Sequence, residues 1–126
     1  MHEYGIVSNL IKIALDRLAQ ESPSKILFVE LEFGEFLFID PKNARMAFDS
    51  LIPGTILEGS ELKIRYIPGK IRCASCGYEG GVPLPKGEHF HFVDYLLTCP
   101  KCNAVPQILQ GLECAVTQIE IEAIED

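Results

Sequence analysis

The chain has 126 residues, of which 48% are hydrophobic and 23% are charged, so its composition is that of a globular protein with one modest core. Its 11 basic and 18 acidic side chains give a formal net charge of −7, which argues against nucleic-acid binding, because a phosphate backbone requires a concentrated basic face. Neither a membrane-length apolar run nor the basic and apolar start of a signal peptide is present, so we expect a soluble, cytoplasmic protein without a membrane partner.

The N-terminal third of the sequence predicts a helix followed by a strand. Apolar residues recur at helical spacing between Ile6 and Leu18, and Ser22-Pro23-Ser24 is expected to end this amphipathic helix. The next apolar residues alternate with polar ones, which is typical of a half-buried strand. The residues predicted for its buried face are Leu27, Val29, Leu31 and Phe33.

A second helix and two further strands follow. Asp40 and Pro41 have the pattern of a helix N-cap with proline at the first helical position, and Pro53-Gly54 ends this helix. A strand is predicted over residues 61–66. The last strand is predicted over residues 114–124, and a slip in its apolar alternation indicates a bulge.

This order of elements predicts an α+β fold in which a small mixed sheet is flanked by two helices. Residues 71–109 contain a stretch, residues 71–105, in which cysteine, glycine and proline are frequent and apolar periodicity is weak. We expect them to form a module inserted between the last two strands of a discontinuous domain that comprises residues 1–70 and 110–126.

Two C-x-x-C pairs are the strongest chemical signal in the sequence. Cys73 with Cys76 and Cys99 with Cys102 can present four thiolates, which suit tetrahedral Zn²⁺; an iron site of the rubredoxin type and a redox disulfide are the alternatives. Four protein ligands leave no position for substrate, so we expect structural zinc that supplies folding energy to its module. The fifth cysteine, Cys114, is expected to be buried in the last strand.

The N-terminal pair Met1-His2 can chelate a metal ion. The free amine, the deprotonated amide of His2 and its Nδ1 form adjoining chelate rings, and this nitrogen-rich set suits Ni²⁺ or Cu²⁺ better than Zn²⁺. From these two residues alone, the alternative is a solvent-exposed histidine at a frayed chain end.

Several motifs follow one another in a specific order. They are Met1-His2-Glu3 before the first helix, residues 31–35, Ala47-Phe48, residues 54–62 and the two cysteine pairs. In this order they resemble the HypA/HybF family of hydrogenase nickel-insertion accessory proteins, and the resemblance covers nearly the whole chain.

The resemblance implies a nickel metallochaperone rather than an enzyme. It implies that Met1 and His2 hold Ni(II), that Glu3 tunes this site, and that the four paired cysteines hold zinc in a zinc-ribbon domain over residues 71–109. The implied partners are a HypB-type nucleotide-binding accessory protein and the precursor of the [NiFe]-hydrogenase large subunit, and some relatives also serve urease. The oligomeric state stays open, from a monomer to a weak homo-oligomer.

The chain departs from the compact family pattern between the two cysteine pairs. Residues 83–92 form an extension in which His89 and His91 would point to one face if the backbone is extended. Longer members of the family, mainly archaeal, have a comparable insertion that can contribute a histidine to nickel. A surface ribbon with solvated imidazoles is the alternative for these histidines, and a zinc-ribbon interaction module without a mobile metal is the alternative function for the chain.

Overall fold

A computed structural model describes residues 3–21, 23, 25–83 and 97–122. Its helices are α1 (Glu3–Leu18), a short 3₁₀ helix (Glu35–Leu37) and α2 (Pro41–Leu51), and its strands are β1 (Lys25–Gly34), β2 (Glu61–Ile67), β3 (Lys70–Arg72), β4 (Glu79–Gly80), β5 (Gln107–Gln110) and β6 (Cys114–Glu122). The predicted α+β fold with two helices and a small inserted module is confirmed. Neither α1 nor α2 is long and apolar enough to cross a membrane.

Helix α1 is amphipathic, as its sequence predicts. Its buried residues recur every three or four positions and therefore form one face. They are Val7, Leu10, Ile11, Ala14 and Leu18. Ile13 lies off this face and is 58% exposed, although it is one of the larger apolar side chains of the helix.

Helix α2 begins at the predicted cap. The Asp40 side chain accepts a hydrogen bond from the backbone N–H of Lys42 at 2.9 Å, and Pro41 occupies the first helical position. The Arg45 guanidinium donates to the backbone carbonyl of Leu62 at 2.9 Å, which fixes β2 to this helix. The buried face of α2 consists of Ala44, Ala47 and Phe48.

The larger sheet has the strand order β2-β1-β6. In β1 the buried residues include Ile26 and Val29, which are three positions apart, so the period-two alternation breaks between them. The prediction that Leu27 is buried is therefore wrong, and this side chain is 40% exposed. The Thr117 hydroxyl of β6 donates to the Glu30 carboxylate of β1 at 2.9 Å, which ties these two neighbouring strands together.

The smaller sheet has the order β4-β3-β5, and both strand pairs are antiparallel. Ile71 of β3 lies opposite Gly80 of β4 on one side and Ile108 of β5 on the other. A register shift follows Lys70 in the pairing with β5. Ile71 is fully buried and belongs to a small apolar cluster with Phe36 and Val82, against which Tyr78 and Leu97 pack.

The chain forms two compact units. We call Phe33–Phe38 together with Tyr66–Glu113 the cysteine unit, and His2–Glu32, Ile39–Arg65 and Cys114–Asp126 the helical unit. The cysteine unit thus takes in a stretch of chain from the turn after β1. The boundaries of the predicted zinc-ribbon domain, residues 71–109, stay a prediction.

Phe36 explains why this short stretch belongs to the cysteine unit. Its side chain is 1% exposed, and its ring lies against Gly69 and Gly111, where any added Cβ atom would collide with it. Two backbone hydrogen bonds hold the stretch in place, from Gly34 N–H to the Glu113 carbonyl at 2.7 Å and from Phe36 N–H to the Gly111 carbonyl at 2.8 Å. The stretch is therefore anchored by both its backbone and its aromatic side chain.

Candidate metal centre

Four cysteine sulfurs come together in the cysteine unit. The Sγ atoms of Cys73, Cys76, Cys99 and Cys102 all lie within 4.8 Å of one another. The Cys73 and Cys102 sulfurs are 3.5 Å apart, and those of Cys76 and Cys99 are 3.6 Å apart. A tetrahedral Zn²⁺ ion with Zn–S bonds of ~2.3 Å places its ligand sulfurs ~3.8 Å apart, so this arrangement fits one such ion.

A tight turn presents the first pair of cysteines. The Gly77 N–H donates to the Cys73 carbonyl and the Cys73 N–H donates to the Tyr78 carbonyl, both at 2.8 Å. This turn needs a φ of +81° at Gly77, a left-handed conformation that glycine adopts without a steric penalty. The sequence therefore folds locally so that both thiols of the pair face the same point.

The second pair repeats the same turn with a different residue at the left-handed position. The Asn103 N–H donates to the Cys99 carbonyl at 2.9 Å, and the Cys99 N–H donates to the Ala104 carbonyl at 2.8 Å. Asn103 has a φ of 64°, and asparagine is among the few residues other than glycine that tolerate this region. Sequence reasoning missed Asn103, although an asparagine directly after C-x-x-C carries the same signal as a glycine.

The two cysteines of each pair differ in exposure. Cys73 and Cys99, which come first in their pairs, are buried, whereas Cys76 and Cys102 are exposed. The buried sulfurs anchor the cluster in the cysteine unit, and the exposed ones close it on the solvent side. A bound ion would therefore be enclosed by protein ligands and would lie near the surface.

The electrostatics of the cluster favour a cation. Backbone hydrogen bonding by Cys76 lowers the pKa of the Cys73 thiol to about 7, although burial opposes this shift. Backbone hydrogen bonding by Ala104 lowers the pKa of Cys102, but the neighbouring Cys73 thiol and burial outweigh it and raise the pKa to about 12. The pKa values of Cys73 and Cys102 thus shift in opposite directions, because a thiolate on one sulfur disfavours a second negative charge on the other, and a divalent metal would remove this conflict by stabilising both thiolates.

Cys114 does not belong to the cluster. It is the first residue of β6, and it is exposed, so the prediction of a buried cysteine is wrong. Partial burial raises the pKa of its thiol, which keeps the sulfur protonated rather than reactive at neutral pH. The strand begins at this position with its side chain exposed to solvent, a feature that an apolar strand pattern does not reveal.

Four of the five predicted nickel ligands lie outside the described residues. They are Met1, His2, His89 and His91. Glu3, the fifth, is the first residue of α1, and its carboxylate accepts a hydrogen bond from the backbone N–H of Asp40 at 3.3 Å. Sequence reasoning identified Asp40 only as a helix cap and missed this contact, which spans 37 positions of sequence.

A cleft of about 400 Å³ lies beside Glu3, between α1 and α2. Tyr4 and Met46 line it and are 58% and 62% exposed. The start of α1 is therefore bordered by an open, partly apolar surface on the helical unit.

Comparison with known proteins gives one consistent family. A family model described as "Hydrogenase/urease nickel incorporation, metallochaperone, hypA" matches residues 1–121. The hydrogenase maturation factor HypA of Methanothermobacter thermautotrophicus is 32% identical over 123 residues, which cover 97% of this chain and 98% of that protein. The HypA protein of Rippkaea orientalis is 36% identical over 125 residues, 98% of each chain.

The fold agrees with this assignment. The solution structure of the Ni metallochaperone HypA from Helicobacter pylori matches with a TM-score of 0.62 at 25% identity and covers 98% of this chain and 100% of that one. The resemblance noted in the sequence is thereby confirmed. The chain belongs to the HypA family of nickel metallochaperones for hydrogenase maturation.

Proposed function

We propose that this chain is a nickel carrier that takes up Ni(II) at its N-terminus and delivers it during maturation of [NiFe] hydrogenase. The family match over residues 1–121 is the observation that carries the proposal. The amine of Met1 and the amide and imidazole of His2 supply the nitrogen ligands. These groups must lose protons to bind, so nickel affinity falls as the pH drops. A carrier of this kind needs no catalytic step of its own.

The contact between Glu3 and Asp40 supports a tuning role for Glu3. The Asp40 N–H lies at the N-terminal end of α2, where the helix dipole favours a carboxylate. This contact holds the Glu3 side chain, and Glu3 directly follows His2 in the sequence. Glu3 thereby orients the chelating residues from the helical unit.

The four clustered cysteines hold structural zinc in this proposal. Among the residues that the structure describes, the apolar cluster of the cysteine unit has three buried members, Phe36, Ile71 and Val82, which is a small core for a unit of this length. Zinc binding would supply the missing folding energy. Because four thiolates fill a tetrahedral site, the zinc has no open position for chemistry.

Two partners and one further ligand belong to the proposal. A HypB-type nucleotide-binding accessory protein and the hydrogenase large-subunit precursor are the expected partners for nickel transfer. His89 or His91 completes the nickel site, and the alanine variants of both residues should then bind nickel more weakly than the unaltered chain. Unchanged nickel affinity in both variants would leave these imidazoles as surface groups.

The first experiment is metal analysis and nickel titration of untagged protein, because an added N-terminal tag removes the free amine. We expect one retained zinc and one added nickel per chain, with the nickel lost and the zinc kept in His2→Ala. Zinc alone, with no nickel uptake by the unaltered N-terminus, would overturn the carrier function and favour a zinc-ribbon interaction module.

A second experiment tests the role of Glu3. Glu3→Gln keeps an oxygen that can accept from the Asp40 N–H, whereas Glu3→Ala removes it. A net hydrogen-bond contribution of about 1 kcal/mol corresponds to a loss of nickel affinity of roughly fivefold in Glu3→Ala. Glu3→Gln should lose less, and equal affinities in all three proteins would contradict the orienting role.

A further inference from the structure

Two close sulfur contacts in the cysteine cluster join different C-x-x-C pairs. The Sγ atoms of Cys73 and Cys102 are 3.5 Å apart, and those of Cys76 and Cys99 are 3.6 Å apart. We call these two the cross-pair contacts. Because a disulfide bond is ~2.05 Å long, the two sulfurs of each contact must approach by only ~1.5 Å to form one.

Each cross-pair contact combines one exposed and one buried sulfur. Cys76 and Cys102 are exposed, whereas Cys99 and Cys73, which they contact, are 0% and 1% exposed. A small oxidant in solution therefore meets the exposed sulfurs first. Redox-sensitive cysteines commonly have this arrangement, in which an accessible thiolate lies next to a second cysteine that resolves its oxidised form.

The backbone of each turn is held independently of the sulfurs. The Gly77 N–H donates to the Cys73 carbonyl at 2.8 Å, and the Asn103 N–H donates to the Cys99 carbonyl at 2.9 Å. A disulfide at either cross-pair contact would join the same two turns that a shared metal ion joins. Both turns can therefore keep their backbone hydrogen bonds when the sulfurs bond to each other instead of to a metal.

We propose that the cysteine cluster is a site of reversible oxidation by hydrogen peroxide, in which Cys76 and Cys102 react first and disulfides form at the two cross-pair contacts. An exposed thiolate attacks one peroxide oxygen, so that an S–O bond forms, the O–O bond breaks and the other oxygen leaves as water after taking up a proton. The buried thiolate then attacks the sulfur of this sulfenic acid, the S–S bond forms, and the oxygen leaves with a second proton as water. Each disulfide thus consumes two thiolates, one peroxide and two protons and releases two waters, and the two electrons lost by the sulfurs reduce the peroxide.

Oxidation removes the ligands on which zinc binding depends. A disulfide sulfur no longer carries the thiolate charge that a zinc site requires, so the oxidised cluster loses its affinity for zinc. Reduction by a dithiol returns the four thiolates through thiol–disulfide exchange and restores the site. This inference rests on the zinc assignment proposed above and does not depend on nickel binding.

Hydrogen peroxide treatment of the full zinc-loaded chain tests the proposal, with zinc release followed by a chromogenic chelator and disulfides mapped by mass spectrometry. We expect the loss of one zinc per chain, and dimedone present during oxidation should label Cys76 and Cys102. The expected disulfides join Cys73 with Cys102 and Cys76 with Cys99. Dithiothreitol followed by added zinc should restore the metal content. Cys114→Ser is the matched control, because it removes an exposed thiol outside the cluster and should release zinc like the unaltered chain.

A histidine variant separates the disulfide pairing from the loss of metal. Cys102→His keeps four zinc ligands, since Cys3His sites also hold structural zinc, but it removes one cross-pair contact. This variant should form one disulfide, between Cys76 and Cys99. Disulfides within the C-x-x-C pairs, or an oxidation that dithiothreitol does not reverse, would overturn the proposal. If the untreated chain carries no zinc, the zinc assignment fails, and the disulfide map still decides between cross-pair bonds and any other outcome.

Discussion

Gly34→Ala tests how closely two stretches of backbone pack in the cysteine unit. A Cβ atom at this position would overlap the carbonyl group of Gly111 and lie 2.5 Å from the backbone nitrogen of Leu112. Gly34 has a φ of −70° and a ψ of 144°, which alanine adopts readily. The substitution therefore isolates a steric effect from any change of backbone preference.

The size of the effect follows from what the added methyl group must displace. The neighbouring atoms belong to the backbone and cannot move as a flexible side chain does. Overpacking costs about 1–3 kcal/mol, and the hydrogen bonds of Gly34 and Phe36 contribute about 1 kcal/mol each, so we expect a loss of about 3–5 kcal/mol. Such a loss is a large part of the ~5–15 kcal/mol that typically stabilises a folded domain.

Two measurements report this loss of stability. Urea denaturation of the zinc-loaded protein by circular dichroism reports the free energy of unfolding, and Co(II) absorption of the reconstituted protein reports the cysteine cluster directly. Gly5→Ala makes the same chemical change in α1, where no atom lies within 4 Å of the added Cβ, and should stabilise by about 0.5–1 kcal/mol. If Gly34→Ala lies within about 1 kcal/mol of the unaltered chain, the close approach does not constrain the fold as we infer.

Three further predictions concern single interactions. Asp40→Ala should lower the free energy of unfolding by about 1 kcal/mol in urea denaturation, and Asp40→Ser should recover most of it, because serine also caps α2. The Arg72 guanidinium donates a hydrogen bond to the Glu79 carboxylate, and this bond and the Arg72 charge hold the pKa of Glu79 below 4.5. The pair therefore stabilises the folded protein above pH 4.5, and this stabilisation is lost as the pH falls through the lowered pKa. In an NMR titration Arg72→Ala should return this pKa toward 4.5, and an unchanged titration would contradict the pairing. Cys73→Ser should lose zinc by elemental analysis while Cys114→Ser keeps it, and equal zinc contents would refute the ligand set.

Local sequence signals predicted the elements well where one physical cause dominates. The N-cap at Asp40 and the proline that follows it fix the start of α2, and apolar spacing fixes the buried face of α1. The pairing of C-x-x-C motifs likewise predicted the sulfur cluster, since a tight turn brings two thiols together independently of the rest of the chain.

Features that depend on how the strands and helices are placed in the folded protein could not be predicted in this way. Periodicity placed Leu27 on the buried face of β1, but a local break in the alternation exposes it. The hydrogen bond from Asp40 N–H to Glu3 depends on how two helices pack, and neither residue carries a local signal for the other. Cys114 has an apolar context in sequence, yet its exposure is decided by where β6 begins in the sheet.

The turn after β1 shows how one stretch can serve a different unit from its neighbours. The Glu35 carboxylate accepts from the Gly69 N–H at 3.0 Å, and the Phe36 ring fills the space beside Ile71. Phe36, an aromatic residue from much earlier in the sequence, thus completes the buried cluster that Ile71 and Val82 form in the cysteine unit. Residues 33–35 of the motif, together with Phe36, therefore contribute to the folding of the cysteine unit. Substitutions at Phe36 should then weaken the Co(II) absorption of the cysteine cluster more than the helical circular dichroism signal to which α1 contributes.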